Sequence, residues 1–273
     1  MINGYKVVVV TPAGRKCYLE LLIPQIQNLR NYVDEYRLWV NTTNKTDIDY
    51  MESKAREDSE FIKLEYCSVP VNGNLSINSF FKNCIEPNTI FIRFDDDIVM
   101  LDTPDTFKKF VEFRIEHPEY FLVFGNILNN SVISHLHQRF CNFNLNKGIV
   151  GYHCGDPNGW VNGDFAINLH EQILENPDLS RFHLKNNWLL YSFERVSINC
   201  ISWLGSEFAK FNGIVGTHGT DEEQWLSSDK PRSDNKMNII FGDFCCVHYA
   251  FFTQRPSIDN TNILERYKKI LAK

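Results

Sequence analysis

Residues 89–97 read Thr-Ile-Phe-Ile-Arg-Phe-Asp-Asp-Asp, a short apolar run that goes straight into three consecutive carboxylates. A run of that length, rich in β-branched and aromatic residues, is the pattern of a buried strand. Ile98-Val99-Met100-Leu101 follows at once, so the acidic triplet stands between two apolar segments. Outward from it the chain alternates. Lys6–Thr11 (KVVVVT), Glu35–Asn41 and Phe61–Tyr66 read as strands. Between and after them lie amphipathic stretches at Cys17–Arg30, where Pro24 is expected to kink a helix, at Asp47–Glu57 with Thr46 as its N-cap, and at Ser76–Cys84. Asp105–Glu116 reads as a further helix, capped near Thr103 or Asp105. Strands alternating with helices at this spacing predict an α/β fold, a mostly parallel sheet covered on both faces. Such sheets bind ligands at the carboxyl ends of their strands, so the residues to read for chemistry are 11–15, 41–42 and 95–97.

The second half is less regular. Residues 131–159 are rich in Asn, His and Gly and read as long loops, with His135-x-His137 a loop feature, since no second pair stands at zinc-ligand spacing. Val161–Leu174 reads as a helix, Trp188–Trp203 as mixed, Asp221–Leu226 as the opening of a short helix, and Ile239–Phe244 as a strand. Ile263, Leu264, Tyr267, Ile270 and Leu271 share one face of a closing helix. No repeat or Pro/Ser linker divides the halves, so one continuous domain over 1–273 is expected.

Composition narrows the function. At 273 residues a folded chain buries on the order of 75% of its unfolded surface, so no disulfide or metal staple is needed to fold it. With 28 basic against 34 acidic side chains there is no basic excess to meet a nucleic acid. The eight cysteines never form Cys-x-x-Cys and read mostly as reduced, buried, small hydrophobes. The leading residues pass directly into an apolar run too short to span a membrane, with no basic lead, so the expectation is a cytoplasmic protein without a membrane span. The sequons at Asn41 and Asn74 then carry no weight.

Like charges as close as Asp95, Asp96 and Asp97 raise one another's pKa unless a cation or donors compensate them. The triplet is either a solvated acidic turn or, at a strand end, a site for Mg²⁺ or Mn²⁺ shared with a diphosphate. The glycine-rich dinucleotide and P-loop motifs are both missing, which argues against dehydrogenase and P-loop chemistry. Asp221-Glu222-Glu223 is either ordinary helix-end electrostatics or a general base presented to an acceptor hydroxyl. His248 is either a satisfied core histidine or the residue that completes a metal site, with Arg255 in reach of a diphosphate. Trp160 and Asp164 either anchor a loop or grip a sugar, and Gly155, Gly159 and Gly163 suggest turns that bring backbone close to a ligand.

Taken together, VVVTPAGR at the first strand, RFDDD at the fourth, DEEQWL from 221 and VHY at 247–249 resemble nucleotide-sugar glycosyltransferases of the GT-A fold, in residue type and in order. The similarity is to small soluble enzymes of bacteria and of large algal viruses, which would place a virus-encoded chain in the host cytoplasm. The resemblance implies that Thr11, Pro12 and Arg15 contact the nucleoside, with Asn41 and Ser76 closing around the base. Arg93, Asp95 and Asp96 would lie near ribose and diphosphate, and Asp164 would face the donor sugar. Asp95, Asp97 and His248 would hold Mn²⁺ or Mg²⁺, and Asp221 or Glu222 would be the base of an inverting enzyme. The donor implied is a UDP-sugar, xylose or glucose, and the acceptor a glycan or glycoprotein. The nucleotide half would be about 1–125 and the acceptor half about 126–273. A retaining transferase and a metal-dependent nucleotide or phosphodiester hydrolase could use the same aspartates.

Overall fold

The apolar runs become strands of one sheet in the computed structural model, which describes residues 1–141, 148–216 and 220–272. The strands are β1 (Lys6–Ala13), β2 (Glu35–Val40), β3 (Ile62–Tyr66), β4 (Thr89–Phe94), β5 (Ile98–Leu101), β6 (Val123–Leu128), β7 (Trp188–Leu189), β8 (Cys200–Leu204) and β9 (Ile239–His248). Their order is β3-β2-β1-β4-β8-β6-β9-β5, with β7 also paired to β9. β1, β2, β3, β4, β6 and β9 run one way and β5, β7 and β8 the other, so the sheet is mostly parallel, as expected. The helices are α1 (Lys16–Asn28), α2 (Lys45–Glu57), α3 (Gly73–Ile77), α4 (Pro104–Glu116), α5 (Ser131–Phe140), α6 (Gly163–Glu175), α7 (Gly205–Ala209), α8 (Glu222–Gln224), α9 (Lys230–Asp234), α10 (Arg255–Ile258) and α11 (Ile263–Leu271).

Three pairings place the site. β8 runs antiparallel between β4 and β6 and pairs Cys200 with Phe94, so its entry, Asn199, lies beside the exit of β4. β9 runs parallel to β6, which brings its last residue, His248, to the same end of the sheet as Asn129 and Asn130. β5 turns back along β9 and pairs Ile98 with His248, which sets Asp97 next to that histidine.

The core lies on both faces. One cluster holds β1, β2 and β4 against aromatics: Trp39 stacks on Phe80 with centroids 5.2 Å apart, and Trp203 stacks on Phe91 at 5.5 Å and Phe208 at 4.9 Å. The other packs α6 and α11 against β9 and is tied through His170. That ring lies 2.7 Å from the Tyr249 carbonyl, which can only accept, so Nε2 donates there and Nδ1 accepts from the Tyr267 hydroxyl at 2.9 Å. Burial lowers the His170 pKa to about 4, which keeps that arrangement neutral.

Several expectations need correction. Residues 131–140 form helix α5 rather than loop: Val132, Ile133 and Leu136 supply a buried face, and Asn130 caps it by accepting from the Ile133 N–H at 3.4 Å. His135 and His137 therefore stand on a helix, one bonded to the Val150 carbonyl at 2.7 Å and the other to Asn126 at 2.6 Å. Residues 142–147, part of the same stretch, lie outside the described residues. The cap of α2 is Asn44, whose Oδ1 accepts from the Thr46 N–H at 2.9 Å, rather than Thr46. α1 continues through Pro24 to Asn28, and β9 runs on past Phe244 to His248. The cap at Thr103 is as expected.

Trp203 is fully buried between two rings, and its indole N–H donates to the Cys84 carbonyl at 3.2 Å. Trp203→Ala should lower the unfolding free energy by about 3–5 kcal/mol, measured by urea denaturation, since both the packing and that donor are lost.

Candidate active site

The residues that leave the carboxyl ends of β1, β2 and β4 enclose a cleft of about 290 Å³ lined by Pro12, Gly14, Arg15, Asn41, Ile77, Arg93, Asp95 and Asp96 among others. One wall is the chain that follows β1. The Gly14 N–H donates to Asp96 Oδ2 at 3.0 Å, and Arg15 Nε donates to Asp96 Oδ1 at 3.0 Å, with the Arg15 Nη2 paired to the same oxygen. The opposite edge is the turn into α3. Ser76 Oγ donates to Asn41 Oδ1 at 2.6 Å and accepts from the Asn72 N–H at 3.0 Å, while Asn41 Nδ2 donates to the Gly73 carbonyl at 3.0 Å. Ser76 is buried, so it holds this edge from behind, and Ile77 faces the cleft. Thr11 is buried under the floor, its hydroxyl accepting from Tyr36 at 3.1 Å.

Each of the three aspartates has a different environment. Asp95 accepts from Arg93 Nε at 2.9 Å and from Asn199 Nδ2 at 3.0 Å. Asp96 faces Gly14 and Arg15, and burial pushes its pKa up. Asp97 meets Arg255 Nη2 at 2.6 Å, Arg15 Nη2 at 3.2 Å and His248 Nε2 at 3.4 Å. Burial alone would raise the Asp97 pKa, but Arg15 and then His248 outweigh it and hold the carboxyl well below the usual range. The His248 Nδ1 lies 3.0 Å from the Asn129 carbonyl and donates to it, so Nε2 faces the Asp97 carboxylate. A neutral lone pair cannot rest against a carboxylate, so either a proton or a cation stands between them. Burial opposes the proton, yet the Asp97 charge prevails and the His248 pKa is raised. The His248 imidazole and the Asp97 carboxylate offer one nitrogen and one oxygen of the types Mn²⁺ accepts, while Asp95 turns to Arg93 and Asn199, and among the described residues no third carboxylate, histidine or cysteine joins the pair within 4.8 Å.

The second acidic triplet divides its work. Asp221 caps α8, accepting from the Gln224 N–H at 2.7 Å, and pairs with Arg195 at 3.2 Å; Glu223 pairs with Arg195 at 2.8 Å. Glu222 alone of the three is buried toward β4. Its Oε1 lies 3.6 Å from Arg93 Nη2, and Glu222 Oε2 and Arg93 Nη1 are both buried without a partner. Burial lifts the Glu222 pKa to about 7 against the opposing charge of Arg93, with Asp95 and Asp221 adding to the rise.

Asp164 is exposed in the first turn of α6. Trp160 packs edge to face on Phe252 at 5.1 Å and lies 6.2 Å from Phe251, whose ring abuts His248 at 4.7 Å. Gly159 and Gly163 approach Ser131 and Ser257, so the contacts that favour glycine there are made to the protein itself. Reading the sequence missed Tyr18, whose ring carries the Arg15 guanidinium at 5.0 Å and that of Arg255 at 5.4 Å. It also missed Asn129, Asn130 and Asn199. The Leu128-Asn129-Asn130 junction was findable, because it too is a strand end in an α/β pattern. A larger hollow of about 550 Å³ beside Phe140, Trp188 and Tyr191 has no carboxylate among the described residues that line it and shares no residue with this cleft.

No protein-family model matches the chain, and no curated protein matches its sequence. Among solved structures, GalNAc-T7 with UDP, GalNAc and Mn²⁺ aligns over 98% of this chain with a TM-score of 0.54 and 9% identity. The fold is GT-A, a Rossmann-like α/β fold. The chain spans 48% of that structure's length. The 4-diphosphocytidyl-2C-methyl-D-erythritol synthase of Anaerococcus prevotii aligns over 99% of this chain and all of its own, with a TM-score of 0.47 and 13% identity. A Thermus thermophilus mannose-1-phosphate geranyltransferase aligns over 89% of this chain and 75% of its own at 0.42 and 10%. Among the described residues no helix is long and apolar enough to cross a membrane.

A carboxyl raised from its ordinary 4.5 to about 7 on folding binds its proton more tightly in the native state. Its contribution is therefore complete below pH 4.5 and lost as pH rises through 7. Glu222→Gln cannot ionise. Across that window its urea stability should gain on the native protein by on the order of 3 kcal/mol.

Proposed function

We propose that this protein is a glycosyltransferase that moves a sugar from a UDP-sugar, with xylose or glucose the candidates, to a hydroxyl of a glycan acceptor, with inversion. The observation that carries the reading is the pairing, at one sheet end, of a carboxylate–histidine group with a buried glutamate whose proton affinity lies near neutrality. The GT-A fold supports it, as does the UDP and Mn²⁺ held by the GalNAc-T7 structure that aligns over 98% of the chain.

In this reading the half up to about residue 125 binds the nucleotide and the remainder binds the acceptor and completes the metal site. Pro12 and Gly14 offer an uncharged wall to the nucleoside, with Asn41 and Ile77 closing over it. Thr11 and Ser76 act from behind, through Tyr36 and Asn41. Arg15 and Arg255, now paired with the aspartates, supply the positive charge nearest to a diphosphate. Asp97 and His248 would hold Mn²⁺ or Mg²⁺, with Asp95 behind them, and such an ion supplies charge neutralisation on the departing nucleoside diphosphate. Asp164 and Trp160 are the contacts proposed for the donor sugar. Glu222 is the base: about half ionised near pH 7, it can take the acceptor hydroxyl's proton while Arg93 steadies the carboxylate. Asp221 is engaged as a cap and in an ion pair, so its part is to hold α8.

Calorimetry should detect UDP binding that requires Mn²⁺ and is lost in Asp97→Asn; metal-independent or undetectable binding would sink the reading. Given a screened donor and acceptor, Glu222→Gln should lower kcat about 10²–10⁴-fold while UDP affinity is kept. Asp221→Asn should stay within a few-fold of native turnover. A UDP-sugar hydrolysed equally fast with and without acceptor would replace the transferase by a hydrolase.

A further inference from the structure

Away from the cleft, three residues remote in sequence bring potential metal ligands together: Asp102, His183 and Cys245 have donor atoms that all lie within 4.8 Å of one another. We propose that they form a Zn²⁺ site that staples β5, β9 and the 179–183 turn, with water in the fourth position. None of the three serves in the cleft. Asp102 follows the last residue of β5, so the four residues of that strand, at roughly 3.3 Å each, separate it from Asp97 at the other end.

The frame is rigid. The Asp102 N–H donates to the Cys245 carbonyl at 3.0 Å, and the Cys245 N–H returns a bond to Asp102 Oδ2 at 3.3 Å. The Asp102 Oδ1 accepts from the Thr103 N–H at 2.8 Å, which fixes the plane of the carboxylate. On either side of His183 the chain is pinned. Asn126 Nδ2 donates to the Phe182 carbonyl at 2.8 Å, and the Leu184 N–H donates to the Gly242 carbonyl at 3.1 Å. The His183 Nε2 then lies 2.6 Å from Asp102 Oδ2, with one proton between them.

Zinc–ligand bonds of about 2.0–2.3 Å in a tetrahedron put donors about 3–4 Å apart. The three atoms all lie within 4.8 Å of one another, so an ion that takes the place of the shared proton needs the 2.6 Å His183–Asp102 pair to widen and shifts on the order of 1 Å elsewhere. Binding releases that proton and the thiol proton of Cys245 to solvent. Cys245 is fully buried, so burial, with Asp102 nearby, holds its thiol protonated; a divalent cation reverses that balance. Thiolate, imidazole and carboxylate together select Zn²⁺ over Mg²⁺ or Ca²⁺, which take oxygen ligands. The imidazole of His183 is partly exposed, which leaves the ion a way in and a place for water. Cys141 lies close by, its Sγ 3.7 Å from the His183 carbonyl, and is the thiol against which Cys245 must be tested.

The full chain, stripped with chelator and titrated with Co²⁺ as the probe, should develop a thiolate-to-cobalt charge-transfer band at one equivalent, displaced by Zn²⁺. The band should be absent in Cys245→Ser and in His183→Gln, a partly exposed position where the amide keeps the polarity of the ring, and present in Asp97→Asn and Cys141→Ser. Zn²⁺ should raise the Tm of the native protein and leave that of His183→Gln unmoved. No band in the native protein overturns the site. So does a band that survives Cys245→Ser, or one that disappears with Asp97→Asn. Since nucleotide takes no part in this experiment, its failure leaves the transferase reading as it stands.

Discussion

Three adjacent carboxylates at the end of β4, Asp96 and Asp97 buried and Asp95 partly so, must be compensated, and the rest of the site is arranged around that requirement. Removing one partner of a buried ion pair typically costs about 3–5 kcal/mol, so each carboxylate needs its own set. Asp95 is met by Arg93 of its own strand and by Asn199 from the entry of β8. Asp96 is met by the Gly14 N–H and Arg15 beyond β1. Asp97 is met by Arg15, by His248 at the end of β9 and by Arg255 in α10. Segments from both ends of the chain are therefore tied to one point. Tyr18 lies beneath both guanidinium groups and keeps their charge over an aromatic face.

Asparagines do the work where strands leave the sheet, because a neutral amide offers a donor and an acceptor without adding charge to a crowded site. Asn129 takes a left-handed φ of 62° and donates to Tyr249 and Gln254. Its carbonyl fixes the ring of His248. Asn130 donates to the Ser197 carbonyl and to Asn199, which in turn holds Asp95. A chain of amides thus links the imidazole and the carboxylate proposed to share an ion, and it leaves their charges to be balanced by arginines that a diphosphate could draw away.

The strands, their alternation with helices and the strand-end position of the first acidic triplet could all be read locally. An apolar run of four to eight residues reports burial wherever it occurs, and the centres of β1 and β4 are such runs. Helix α5 could not be read with the same ease. Its Ser and His residues, with Asn129 and Asn130 just ahead of it, suggested loop, while the three apolar positions that bury it are few. Within the second triplet the three carboxylates are alike in sequence. What separates them is Arg195, which engages Asp221 and Glu223 and leaves Glu222 against Arg93.

The sequence by itself determined the α/β architecture and the charges that had to be placed, because period and composition act over a few neighbouring residues. Only the tertiary structure decided which of those charges meet. Asp95 with Asn199, Asp97 with His248 and Arg255, and Asp102 with His183 and Cys245 are contacts across about 80 to 160 positions. They are set by the antiparallel courses of β8 and β5 beside parallel neighbours, and a pairing of that kind follows from how the whole sheet closes its core rather than from any local run of residues.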